Sequence, residues 1–205
     1  MLSFTAFVLW TMAVKFINVS PIGPDGSYVG FATINSFFHK LTGVNMLLYI
    51  LTDWLSIIPV GLVVGFALLG LLQLLRRKKL LEVDYDILVL GGFYVALIAV
   101  YVLFEMVPVN YRPLLIEGAL EVSYPSSTTM LVMCIMPTAI MQLNSRIKNI
   151  RLKRVVSFIL NVFTAFMVAG RLLSGVHWLS DIVGGALVSA GLVMMYKALI
   201  YIRTE

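Results

Sequence analysis

The sequence predicts an all-α, polytopic membrane protein with six transmembrane helices and one interfacial amphipathic helix. Three observations carry this. Of 205 residues, 60% are hydrophobic and only 12% charged, whereas a soluble domain carries roughly 25% charged residues. Mean hydropathy is +0.99. The apolar residues gather into stretches that can cross about 30 Å of hydrocarbon at about 1.5 Å per residue, and the basic residues gather between them. The length fits one domain, residues 1–205.

The first apolar stretch, residues 3–18, is read as a retained helix. No basic residue precedes it and no clear small-residue cleavage site follows, so it is not a signal peptide. Lys15 near its far end can snorkel to the headgroups. Five further spans are predicted near 54–75, 87–105, 126–143, 153–171 and 180–202. Between the first two lies a different segment. Pro21, Gly23, Pro24 and Gly26 make a turn-rich start. Tyr28, Phe31, Ile34, Phe37 and Phe38 then recur at helical spacing, with Asn35, His39 and Lys40 among them, as an interfacial helix requires.

The loops set the orientation. Arg76, Arg77, Lys78, Lys79, Arg146, Lys148, Arg151, Lys153, Arg154, Lys197 and Arg203 fall on one side; Lys15, Lys40, Arg112 and Arg171 fall on the other. The positive-inside rule places the first set, and both termini, in the cytoplasm. The net charge of +5 is therefore a topology signal, and no nucleic-acid partner is expected. Trp54 and Trp178 fall at the outer boundary, as interfacial aromatics. The one cysteine, Cys134, permits neither an internal disulfide nor a cysteine-based zinc site. Gln142 and Asn161 are read as interhelical hydrogen-bonding groups, and Gly185 and Ser189 as a close-packing face within the bundle.

Two polar islands remain, both on the outer side. Charges near membrane spans are costly and usually functional. The first island is Arg112-Pro113 followed by Tyr124-Pro125-Ser126-Ser127-Thr128. Proline followed by hydroxyl residues opens a helix, whose free N–H groups make an anion site. The second is Arg171, His177 and Asp181. At i and i+4 on a helix, a carboxylate can hold one imidazole nitrogen and leave the other free as base or nucleophile. Arginine suits phosphate because its fork is planar, charged and bidentate.

In order, Arg-Pro, then Pro-Ser at a helix start, then Arg-x5-His-x3-Asp resembles the type 2 phosphatidic acid phosphatase superfamily of membrane lipid phosphatases. Its signatures are Lys-x6-Arg-Pro, Pro-Ser-Gly-His and Ser-Arg-x5-His-x3-Asp. The resemblance implies a metal-free, cofactor-free site acting on a membrane lipid phosphate at the outer face of a plasma membrane of bacterial type. It makes His177 the nucleophile that becomes a phosphohistidine, Asp181 its orienter, and Arg171 a catalytic phosphate ligand. It makes Arg112 and Ser126, with the neighbouring Ser127 and Thr128, the substrate-binding groups. The signatures are not matched throughout. Glu105 replaces the lysine, Thr128 the second-signature histidine and Gly170 the third-signature serine.

The missing acid constrains the substrate. Threonine cannot protonate a leaving group near neutral pH. A lipid monophosphate expels an alkoxide, which needs that proton, and general acid help is worth roughly 10²–10⁴-fold. A diphosphate expels a lipid phosphate whose second ionisation is at about pH 6, and needs none. A (poly)prenyl diphosphate is therefore the expected substrate. His39, the one other histidine, could supply an acid from the interfacial helix, but the preferred reading is a partly buried histidine with no catalytic role. A lipid-phosphate binding or translocating protein, and a lipid phosphotransferase, are the alternatives on the same fold.

Overall fold

The computed structural model describes residues 2–202. Arg203 lies outside them. Among them eight α-helices follow in order: α1 (Leu2–Phe16), α2 (Ala32–Thr42), α3 (Met46–Leu55), α4 (Ile57–Arg77), α5 (Tyr85–Met106), α6 (Ser127–Arg146), α7 (Ile150–Leu173) and α8 (Leu179–Tyr201). Among the described residues there is no strand, only isolated bridges.

The long helices form because apolar residues crowd into them, and they show those residues outward. On α4 Val64, Leu68 and Leu71 are exposed; on α7 Phe158, Ile159 and Val162 are exposed. So much apolar surface calls for lipid as solvent. Four segments are long and apolar enough to cross a membrane: Met46–Arg77, which joins α3 and α4, then α5, α7 and α8. The other two expected spans differ in instructive ways. The shorter α1 has 15 residues. At the centre of the bundle, α6 packs on α4, α5, α7 and α8. Surrounded by protein, it can afford Thr128, Thr129, Thr138 and Gln142, all buried.

The span expected to start at residue 54 is preceded by a separate helix, α3. The break falls at Ser56, three residues before Pro59. Proline has no N–H to return to the carbonyl of Leu55, so the helix restarts there. The amphipathic segment is α2, which exposes Ile34, Phe37 and Leu41. Asn35 does not join its polar face but is fully buried beneath it.

The two ends of the bundle differ. At one end Arg77 pairs with Asp84 at 2.9 Å and Arg146 with Asp86 at 2.9 Å. Gln142 reaches the Tyr196 hydroxyl and the Asp86 carbonyl there, joining α6 to α8 and α5. Asn161, by contrast, bonds within its own helix, to Ser157 O at 2.8 Å. Both polar islands lie at the opposite end, where α6 and α8 begin. Gly185 packs against Ser126 and Thr129 of α6, so the small-residue face serves packing inside the chain.

Candidate active site

The start of α8 fixes Asp181. Its Oδ2 accepts the Trp178 backbone N–H at 3.0 Å, a helix cap. Its Oδ1 accepts from Asn110 Nδ2 at 3.1 Å and from Ser180 Oγ at 3.3 Å. Asn110 also accepts the Gly30 N–H at 3.1 Å. Asn35 donates to Ser180 Oγ at 2.9 Å and accepts the Ser180 N–H at 3.1 Å. Asn35, Asn110, Ser180 and Asp181 are all buried. This network ties α2, the 107–126 loop and α8 into one rigid support, as a satisfied buried polar network should.

His177 stands just before that helix, not on it. Its i, i+4 spacing to Asp181 therefore does not give a shared helical face. The Nδ1 atom lies 3.9 Å from Asp181 Oδ2, too far for a hydrogen bond, because the carboxylate is engaged by the cap. Both imidazole nitrogens are buried without a partner. Burial pushes the imidazole down to about 4; Asp181 opposes this, while Arg112 and Arg171 reinforce it. At neutral pH the ring is neutral, with a lone pair to donate. If His177 attacks, kcat/KM is expected to hold well below pH 6.5 and to fall only as pH drops through about 4 and the ring protonates. A pH–rate profile with its acid limb at the ordinary imidazole value would contradict this.

Arg171 closes the last turn of α7 and is 3% exposed. Its Nη2 donates to Thr128 Oγ1 at 2.5 Å and to Asp53 Oδ1 at 2.8 Å. Its Nε and Nη1 are buried without partners. Arg112 comes from the 107–126 loop, where Glu117 and Gly118 have φ of 50° and 80° and turn the chain between the paired Ile116 and Ala119. That geometry matches a tight hairpin turn. The pairing sets Arg112 opposite Glu121. Arg112 Nε lies 3.0 Å from Glu121 Oε2, but out of line for a hydrogen bond, and Nε and Nη1 have no such partner. Tyr49 of α3 lies beneath both arginines, 4.8 Å from the Arg171 guanidinium carbon and 5.8 Å from that of Arg112.

Ser126 caps α6 and is fully buried. Its Oγ accepts from Thr129 N at 3.4 Å and Thr129 Oγ1 at 3.0 Å. Its N–H donates to the Asp181 carbonyl at 3.1 Å, joining α6 to α8. Pro125 therefore lies before the cap rather than in the first turn. Ser127, the next residue, faces open space.

That space is a pair of adjoining cavities. One, of 460 Å³, is lined by Arg112, His177, Ser123, Ser127, Glu105 and Glu121. The other, of 290 Å³, has Asp53, Ser56 and Thr128 beside apolar Leu97, Ile98 and Leu131. Tyr101, Ser127 and Met130 line both. A polar chamber thus borders an apolar one, as a phosphate on a hydrocarbon chain would need. Among the described residues no group of three or more His, Cys, Asp or Glu is gathered to hold a metal ion.

Glu105 lines the polar cavity, but Arg112 turns to Glu121. His39 lines neither cavity; its ring lies 5.4 Å from that of Trp178. Trp178 is buried, with its Nε1–H on Tyr111 O at 2.7 Å, so it is no boundary aromatic, whereas Trp54 is exposed. Gly170 has a packing reason. A Cβ there would meet Thr52 Cγ2 at 2.7 Å, so a serine would push α3 off α7. Gly175 is similar: its φ is +68° and a Cβ would meet Gly43 O at 1.9 Å. Sequence reasoning missed Asn110, Tyr49 and Asp53. The signal for the last two was a polar stripe, Tyr49, Thr52 and Asp53, at helical spacing immediately before an apolar span.

Known proteins resemble this chain in sequence and in fold. Residues 110–205 match the PAP2 superfamily, so the matched segment contains both polar islands. No curated protein sequence matches the chain. Among solved structures, a transmembrane PAP2-type phosphatidylglycerolphosphate phosphatase from Bacillus subtilis superposes with a TM-score of 0.63 at 18% identity, covering 97% of this chain and 94% of its own. Residues 110–205 are thus similar in sequence to the PAP2 superfamily, and the chain shares its fold with a membrane PAP2-type structure.

Proposed function

We propose that the protein hydrolyses a membrane lipid phosphate through a phosphohistidine at His177. One observation carries this reading. Arg112 Nη1, Arg171 Nε and Arg171 Nη1 have no hydrogen-bond partner, nor does either His177 nitrogen, and all of them are buried; Arg112 Nε makes only an out-of-line ion pair with Glu121. A buried polar group left unpaired costs roughly 1–3 kcal/mol. A phosphoryl group would give these guanidinium sites acceptors, with its phosphorus offered to a neutral imidazole. Ser127, which lines both cavities, is better placed than the capped Ser126 to add a hydroxyl donor. The arginines hold the oxygens, the imidazole nitrogen attacks phosphorus, and the lipid side departs toward the apolar cavity.

The finer reading is a (poly)prenyl diphosphate substrate, because Thr128 cannot protonate an alkoxide. In this reading α1, α4, α5, α6, α7 and α8 each cross the bilayer, and α2 lies in the interface. Leu2 and Tyr201 then share the basic end with Arg77 and Arg146, which the positive-inside rule places in the cytoplasm, and the site faces outward. Purified protein is expected to release phosphate from a prenyl diphosphate faster than from the prenyl monophosphate or from phosphatidylglycerolphosphate. Phosphate release assays on the three decide it. Binding of all three without release would favour a lipid-phosphate binding protein on this fold.

A further inference from the structure

Hydrolysis through a phosphohistidine has two halves, and a diphosphate removes the need for an acid only in the first. In the second, water must attack the phosphoenzyme, and that water needs a base. Thr128 cannot supply one. We propose that Asp53 is this base, an inference that rests on the phosphohistidine reading above.

The geometry points to Asp53 through Arg171. A single nitrogen, Nη2, donates to both Thr128 Oγ1 and Asp53 Oδ1. The carboxylate is thus one guanidinium nitrogen away from the position at which the family's proton-transfer histidine would stand. Asp53 lines the apolar cavity together with Ser127 and Thr128, on the side by which the leaving group departs. Water that attacks in line must enter from that side. The Asp53 side chain is 60% exposed, while that of Arg171 is 3% exposed. Only Oδ1 is engaged by Arg171, so Oδ2 is free to meet water from the cavity. Thr52 and Tyr49 fix the helix that carries it, the first against Gly170 and the second beneath Arg171.

The other carboxylates of the site are placed differently. Glu121 is drawn to Arg112. Asp181 is fully buried and engaged by three donors. Glu105 lies on the α5 wall of the polar cavity and does not line the cavity that holds Thr128.

The step balances. In the phosphoenzyme one imidazole nitrogen carries the phosphoryl group and the other its proton. The water oxygen forms a bond to phosphorus. The P–N bond breaks, and its electron pair returns to the imidazole nitrogen. The water proton goes to Asp53 Oδ2, and from there to solvent once hydrogen phosphate has left.

The two halves release different products, so they can be timed separately by rapid quench with a short-chain prenyl diphosphate. Prenyl monophosphate reports phosphoenzyme formation; inorganic phosphate reports its hydrolysis. Wild type is expected to release both in step. Asp53→Asn is expected to release about one equivalent of prenyl monophosphate per site at near wild-type rate. Its inorganic phosphate release should then slow by roughly 10²–10⁴-fold, with phosphohistidine accumulating. Asp53→Glu should recover a large part of that loss. The burst itself reports a folded site. Equal loss of both products in Asp53→Asn would mean that Asp53 only holds Arg171, and would overturn the proposal. So would unchanged phosphate release, or a burst in Glu105→Gln in place of Asp53→Asn. Phosphate release by the wild type with no phosphohistidine on His177 at any time would overturn the underlying reading as well, and is a distinct result.

Discussion

His177→Ala is expected to reduce phosphate release to background while the protein still folds and still binds phosphate. Nothing else in the polar cavity offers a nitrogen lone pair. The remaining polar groups are one guanidinium ion, two carboxylates and hydroxyls, and an unassisted hydroxyl is a weak nucleophile. Folding should survive because the imidazole contributes no hydrogen bond in the free protein; both its nitrogens are unpartnered. Removing a buried polar group that nothing satisfies relieves a desolvation cost, which offsets the packing lost with the ring. The arginines stay in place, since Asp53, Thr128 and Tyr49 hold them and none of these is held by His177. Phosphate binding measured beside turnover separates the two roles. Wild-type turnover in a folded His177→Ala protein would end the phosphohistidine mechanism.

The sequence made the membrane fold plain because lipid imposes a coarse and repetitive requirement: about 20 apolar residues per crossing, with basic residues on one side. It erred where protein takes the place of lipid. Buried in the bundle, α6 is less apolar than a lipid-facing span. Pro59 cuts a single apolar run into α3 and α4, and the piece before the cut carries Tyr49 and Asp53 into the site. Such a junction leaves only a weak trace in hydropathy. Local geometry was harder still. The spacing of His177 and Asp181 suits a helix, yet the carboxylate caps the helix and the histidine precedes it. One aspartate can serve either need, and only the neighbours decide. Asn35, Asn110 and Ser180 are such neighbours, separated by 145 residues of sequence at the extreme, and no local pattern could join them.

The departures from the family pattern carry the most weight for substrate choice, and Thr128 is the sharpest of them. Thr128→His is expected to raise the ratio of monophosphate to diphosphate cleavage, by up to roughly 10²–10⁴-fold. The side chain at 128 lines the apolar cavity beside Asp53 and Ser127, where the leaving group departs. An imidazole there can hand a proton to an alkoxide, which cannot leave without one. A lipid phosphate already leaves as a stable anion, so diphosphate cleavage should change little. The substitution removes the hydroxyl that accepts from Arg171, but the same nitrogen keeps its 2.8 Å bond to Asp53, so the guanidinium retains a partner. Turnover of prenyl monophosphate and diphosphate by the variant and the wild type gives the ratio directly. An unchanged ratio in a folded, active Thr128→His protein would mean that proton delivery is not what limits monophosphate cleavage. Substrate choice would then rest on the carboxylates at the mouth of the site, Asp53, Glu105 and Glu121, and the way they offset its two arginines.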